Sequence, residues 1–195
     1  MADLVKLNDR FEIDPAQPLP DFDSPSAKAY ACKDGGSTDV FALVCDPKVP
    51  LRVEAINGLK GFPNHNLMRV HDHGVVNWTI SGRRMPVLIL DRPRGMRLFS
   101  DPGQVIEPFT DEQLARGFLT PFVATMREMS QRGVTHRNIR PDNLFYSGAP
   151  SWSGNVSAVL RGFISQTVAR AWNASWPTVP PGVRAVCWMI CSRLG

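Results

Sequence analysis

Gly133-Val134-Thr135-His136-Arg137-Asn138-Ile139-Arg140-Pro141-Asp142-Asn143-Leu144-Phe145-Tyr146 is the stretch on which the reading of this chain turns. It follows directly on the strongest helical signal in the sequence, Asp111 to Arg132. There Leu114, Phe118, Phe122, Met126 and Met129 recur at spacings of three to four and make one apolar stripe. Thr110 is a suitable N-cap, with Gln113 as its capping-box partner. Asp111 and Glu112 lie at the positive end of the helix dipole, Arg127 and Arg132 toward its negative end. Gly133 can close the helix as a C-cap. Pro121 removes a backbone donor inside it and predicts a kink. A stripe of Phe and Met at this period reads as core packing, not as a cofactor site.

Upstream, Ala27–Lys33 and Val40–Cys45 are β-prone runs on either side of Asp34-Gly35-Gly36-Ser37, which predicts an antiparallel hairpin. Leu51 to Leu59 predicts a short helix ended by Gly61 and Pro63, and Asn66–Val76 and Met85–Leu90 predict two more strands. His71 and His73 are two apart and are expected on one face of their strand. With no third ligand nearby, they do not make a metal site. Residues 1–26, with Pro15, Pro18, Pro20 and Pro25 among acids, read as an extended lead-in.

The quoted stretch resembles the catalytic loop of the protein kinase family, H-R-D-[LI]-K-P-x-N followed by apolar residues. His136, Arg137, Ile139, Pro141, Asn143 and Leu144 match in register. Asn66–Val76 is similar to the strand after the first kinase helix, and Val87–Gly95 to the last small-lobe strand running into the hinge. The resemblance covers about residues 27–147. It implies an α+β, protein-kinase-like fold: a β-rich small lobe over 27–92, then the start of an incomplete helical large lobe over 93–150.

The departures bear most on function. Asn138 stands where the family has its catalytic aspartate, and an amide cannot serve as a carboxylate base. Arg140 replaces the family's lysine, keeping charge without the compact ammonium. Phe41-Ala42-Leu43-Val44 lines up with the family's V-A-I-K strand and puts Val44 at the position of the phosphate-pairing lysine. No G-x-G-x-x-G occurs in residues 1–50 and no D-F-G follows the loop. Of the family's magnesium-holding groups only Asn143 remains. For His136 and Arg137 the resemblance implies support of the loop. Lys33 reads as a solvated strand-end charge, Glu54 as a surface residue, and Asp142 as a loop residue at a variable position.

At 195 residues, 43% apolar and 21% charged, the composition excludes wholesale disorder and fibrous repeats. No apolar run is long enough to span a bilayer, and the first residues lack the apolar core of a secretory signal. Cys32, Cys45, Cys187 and Cys191 show no zinc-type pairs, so free thiols in a cytoplasmic setting are expected. All acids precede residue 143. Residues 152–195 hold Arg161, Arg170, Arg184 and Arg193 with no acid or lysine, which accounts for the net charge of +4. Scattered arginines are not a phosphate-binding stripe, so nucleic acid is not an expected partner.

Residues 151–195 read as an irregular tail with four of the five tryptophans. The codons of Trp188-Met189-Ile190, read from their third base, force Asp-Asp followed by Leu or Met. Continued, that frame permits D-D-L-L-T-L-G, which resembles a kinase large-lobe helix segment, so two readings of the tail stand side by side: an interaction tail that exposes aromatic anchors, and an out-of-frame translation of a kinase-like large lobe. The sequence thus predicts a pseudokinase of bacterial type, truncated in its large lobe. It would act as a binding or regulatory module with a protein partner and no cofactor. Two rivals are an active serine/threonine kinase or related phosphotransferase using ATP and magnesium in an unusual site, and a non-functional truncated gene product.

Overall fold

The structure is a computed structural model that describes residues 3–93, 96–97, 110–136, 144–146 and 159–160. The chain divides into two compact units, Met1–Pro63 with Met68–Arg92, and Asn64–Leu67 with Pro93–Gly195.

The first unit is a six-stranded antiparallel sheet. Its strands are β1 (Val5–Leu7), β2 (Phe11–Pro18), β3 (Ala27–Asp34), β4 (Ser37–Cys45), β5 (Val70–Trp78) and β6 (Arg83–Asp91), in the order β1-β2-β3-β4-β6-β5. Helix α1 (Val53–Leu59) joins β4 to β5 and buries Ala55, Ile56 and Leu59. The expected hairpin is present: β3 pairs with β4 from Ala27↔Cys45 to Asp34↔Ser37. Its turn needs Gly35 and Gly36, whose φ angles are +56° and +98°. The two strands expected downstream also form, as β5 and β6.

Residues 5–18, expected as an unfolded lead-in, are instead part of the sheet. Val5 and Leu7 pair with Ile13 and Phe11 across a turn at Asn8-Asp9, where both residues have positive φ. Asn and Asp enter that region more readily than other side-chain-bearing residues, which makes the pair a natural tight hairpin turn. The prolines are accommodated because the ladder breaks between Asp14 and Pro18. There the Asp14 carboxylate accepts from the Ala16 N–H (2.9 Å) and the Gln17 amide (2.8 Å).

Strand β1 also rolls the sheet until its first strand meets its last. Asn8 Nδ2 donates to Asp72 Oδ2 (2.7 Å), and Leu7 lies against Gly74 so closely that a Cβ there would stand 2.6 Å from Leu7 Cδ1. The roll encloses a cluster of Val5, Leu7, Phe11, Ile13, Cys32, Val40, Ala42, Val44, Val76, Trp78, Val87 and Ile89. Phe11 and Ile13 are fully buried, and each such side chain contributes about 1.5–3 kcal/mol. Cys32 and Cys45 are buried, and the Cys45 thiol donates to Leu43 O (3.6 Å). Burial, with help from the Asp34 charge, pushes the Cys32 thiol up to about 12, so it is inert as a nucleophile in the folded state.

His71 and His73 do not share a face. A bulge falls between Val70 and Asp72, and this breaks the alternation on which that expectation rested. His71 Nε2 bonds Asp91 Oδ1 and its ring meets Phe11 edge-on at 6.5 Å, whereas His73 lies opposite Leu88.

In the second unit, π-helical turns over Gln113–Leu119 run into helix α2 (Thr120–Gln131). The expected distortion at Pro121 therefore takes the form of a change of helical winding just before the proline. Thr120 bonds the Ala115 carbonyl through both its N–H and its hydroxyl (2.8 Å for the hydroxyl). The apolar stripe packs as expected, with Phe118, Phe122 and Met129 buried and the first two rings stacked at 5.6 Å. A three-stranded sheet of β7 (Met96–Arg97), β8 (Leu144–Tyr146) and β9 (Val159–Leu160) completes the described part, in the order β7-β8-β9. Apart from Val159 and Leu160, the expected tail lies outside the described residues. Among the described residues, no helix is long and apolar enough to cross a membrane.

Two outcomes follow from the rolled sheet. Leu7→Ala should lower unfolding free energy by about 2–4 kcal/mol in a urea titration, because it leaves a cavity where β1 meets β5. The second concerns acid. Burial raises the Asp72 carboxyl, but bonds from Lys60, Asn8 and the His73 N–H outweigh it and hold the group below its ordinary value. A depressed carboxylate contributes stability above the unfolded value of about 3.9, and that contribution is lost as pH falls through the folded value. Lys60→Met should therefore shift the acid-unfolding midpoint to higher pH.

Candidate functional site

Helix α2 delivers the motif-bearing loop. Gly133, at φ +68°, turns the chain out of the helix, its N–H donating to Ser130 O (2.9 Å) while Val134 N–H donates to Met129 O (3.0 Å). Val134 and His136 are buried, and the chain re-enters the described residues at Leu144 and Phe145, buried again. Phe145 pairs with Arg97 on one side and Val159 on the other, and the Arg97 guanidinium lies 5.5 Å from its ring centroid. The described residues on either side of the motif are thus buried. Arg137, Asn138, Arg140, Asp142 and Asn143 lie between them, outside the described residues.

One polar side chain in this unit had no sequence signal. Thr125 is fully buried within the apolar stripe. Its hydroxyl accepts from Asn66 Nδ2 (3.2 Å) and shares its proton between Pro121 O (2.8 Å) and Asn64 Oδ1 (3.3 Å). Asn64 Nδ2 in turn donates to Glu128 Oε2 (2.9 Å), and Asn64 Oδ1 accepts from the Asn66 N–H (2.8 Å). The Asn64–Leu67 segment is thereby bound to α2.

In the first unit, Val44 is buried in the cluster closed by β1, and period-two alternation puts Phe41, Leu43 and Cys45 on the opposite face. Lys33 is exposed beside the Gly35-Gly36 turn with Glu12 as its cross-strand partner, and Glu54 is exposed on α1. On the Phe41 face, the connection from β2 to β3 folds back through a 3₁₀ turn, Pro20–Phe22. The Phe22 ring sits 5.3 Å from the Phe41 ring, and the Arg92 guanidinium lies 5.9 Å from the Phe22 centroid. Sequence reasoning passed over Phe22 because it stands among prolines and acids in a stretch with no strand period.

No protein-family model matches the sequence, and no curated protein matches it. Among solved structures, the chain is similar to the kinase domain of Mycobacterium tuberculosis PknI, in a crystal structure of a cysteine-to-alanine mutant. The TM-score is 0.54 at 18% identity, over 78% of this chain and 59% of that one. The fold is protein-kinase-like. This chain spans about three-fifths of the length of that kinase domain.

A kinase-like fold gives the resemblance in the His136–Leu144 stretch a structural setting, since the motif follows a helix and runs into a strand. It does not by itself confer chemistry, which rests on the groups present. Among the described residues, no three His, Cys, Asp or Glu side chains come together as a metal site. Thr125→Val should cost about 1 kcal/mol by chemical denaturation, because it removes the hydroxyl that ties the half-buried amides of Asn64 and Asn66 to α2.

Proposed function

We propose that this chain is a pseudokinase: a protein-kinase-like domain that does not transfer phosphate and works as a binding or regulatory module for a protein partner in the cytoplasm. The observation that carries the reading is the amide at Asn138, inside a stretch where His136, Arg137, Ile139, Pro141, Asn143 and Leu144 match the motif and Arg140 replaces its lysine. Phosphoryl transfer in this fold depends on positioned charge and on a carboxylate that takes or orients the hydroxyl proton. Loss of a general base typically costs about 10²–10⁴ in rate.

The small-lobe groups support the same reading. A phosphate-pairing ammonium at position 44 would have to enter the apolar cluster around Val5, Phe11 and Ile13, where desolvation opposes any charge. Lys33 and Glu54 are exposed and belong to no shared ion pair among the described residues. The groups present therefore do not fit a magnesium–triphosphate, Asn143 alone being retained from the family's metal-holding set. Arg140, His136 and Arg137 then serve the shape of the loop and no transfer step.

Incubation of the purified chain with radiolabelled ATP and magnesium, with itself and generic protein substrates as acceptors, should give no transfer above background. Asn138→Asp should remain equally inactive, because one restored carboxylate supplies neither the lysine nor the second metal-binding group. Robust labelling by either protein would overturn the reading in favour of an active kinase.

A further inference from the structure

We propose that Asp34-Gly35 is a latent site of backbone isomerisation, and that the Arg10 guanidinium guards it by gripping the carboxylate that the reaction consumes. Asp34 is the only aspartate in the chain followed by glycine, and Gly35 and Gly36 form the β3–β4 turn at φ +56° and +98°. An aspartate before glycine is open to attack on its own side chain, because glycine has no Cβ to shield its nitrogen. The Gly35 nitrogen adds to Asp34 Cγ, the amide hydrogen and the carboxyl hydroxyl leave as water, and a succinimide ring closes. Water then opens the ring at either carbonyl, giving aspartate or isoaspartate. The sum is an isomerisation that needs no co-reactant. A Cβ built on Gly35 or Gly36 would meet nothing within 4 Å, so the turn is open to water.

The guard comes from a different hairpin. Arg10 follows the β1–β2 turn, where its N–H donates to Leu7 O (3.2 Å), and its guanidinium lies 4.8 Å from the Phe11 ring centroid. From there Nε donates to Asp34 Oδ1 (2.7 Å) and Nη2 to Asp34 Oδ2 (2.5 Å). One rigid fork thus holds both oxygens, which the point charge of a lysine cannot do. The fork opposes the reaction in two ways. It fixes the carboxylate plane, so that Cγ is not free to turn onto the Gly35 nitrogen. It also favours the ionised group, which has no hydroxyl to lose: the Asp34 carboxyl lies below its ordinary value, chiefly through the Arg10 hydrogen bonds. The sheet is what this protects. Asp34 pairs with Phe11 of β2 and with Ser37 of β4, and isoaspartate would add a methylene to the main chain at that point. A longer link there disturbs the register of both ladders and draws the carboxylate away from Arg10. An exposed ion pair contributes little to stability, so its effect is to be sought in the chemistry of Asp34.

The test ages the full chain and its variants in near-neutral buffer at physiological temperature. Total isoaspartate is read by methyl transfer from S-adenosylmethionine with an isoaspartyl methyltransferase. Its position is read by digestion with an endoproteinase that cleaves before aspartate and not before isoaspartate. Folded wild type should accumulate isoaspartate at position 34 slowly, and wild type unfolded in urea should do so faster. Arg10→Ala should isomerise at least about twofold faster than folded wild type, a modest factor in keeping with a surface pair, and Arg10→Lys should fall between them. Lys28→Met, which removes another exposed ion pair from the same strand, should leave the rate at Asp34 unchanged. Asp34→Glu in the Arg10→Ala chain should abolish the signal at that position. If Arg10→Ala fails to melt cooperatively, Arg10→Lys carries the comparison with wild type. A folded Arg10 variant that isomerises no faster than wild type would overturn the proposal. So would an equal acceleration in Lys28→Met, or isoaspartate confined to Asn57-Gly58, the chain's one Asn-Gly pair.

Discussion

The closure of the six-stranded sheet by its own first strand is the contact on which the first unit depends. Val5 and Leu7 are a short edge, yet they cover Phe11 and Ile13 from one side and reach β5 through Leu7 against Gly74 and Asn8 against Asp72. Without that cover, one whole face of β2, β3, β4 and β6 would present apolar side chains to water. With it, Val44, Ala42 and Val40 become interior. The charged groups Arg10, Asp34, Lys60 and Asp72 remain outside as exposed or half-exposed pairs, and such pairs contribute little individually.

This closure separates the two faces of β4 chemically. The Val44 face is dry and filled, so no charge can be placed there without a large desolvation cost. The Phe41 face carries the small side chains of β3 and is met by the β2–β3 connection through Phe22. Within the connection, the N–H groups of Leu19, Phe22 and Asp23 donate to the carbonyls of Ala29, Leu19 and Pro20, and the Asp23 carboxylate accepts from the Ala29 N–H of β3. The second unit depends on a different polar tie, the Thr125 hydroxyl with Asn64 and Asn66, which attaches Asn64–Leu67 to α2.

Much of the architecture could be read from local pattern. The Gly35-Gly36 hairpin, the strands that became β5 and β6, the short helix before them, and the Phe118–Phe122–Met129 stripe all follow from period and turn chemistry acting over a few residues. The β1–β2 hairpin was legible too, in Val5-x-Leu7, Asn8-Asp9 and Phe11-x-Ile13, but the prolines that follow it masked the signal. The candidate site divides in the same way. Asn138, Arg140 and Asn143 are known by sequence position, because a motif is local.

Local pattern by itself determined the order of elements, the kinase resemblance and the missing carboxylate, since each depends on residues close together along the chain. Tertiary structure alone decided which face Val44 occupies, that a bulge turns His71 away from His73, that Thr125 is a buried tie, and that Phe22 reaches Phe41 and Arg92. Those outcomes depend on strand register and on contacts between residues far apart along the chain, and no side chain carries information about the neighbour that folding will bring to it.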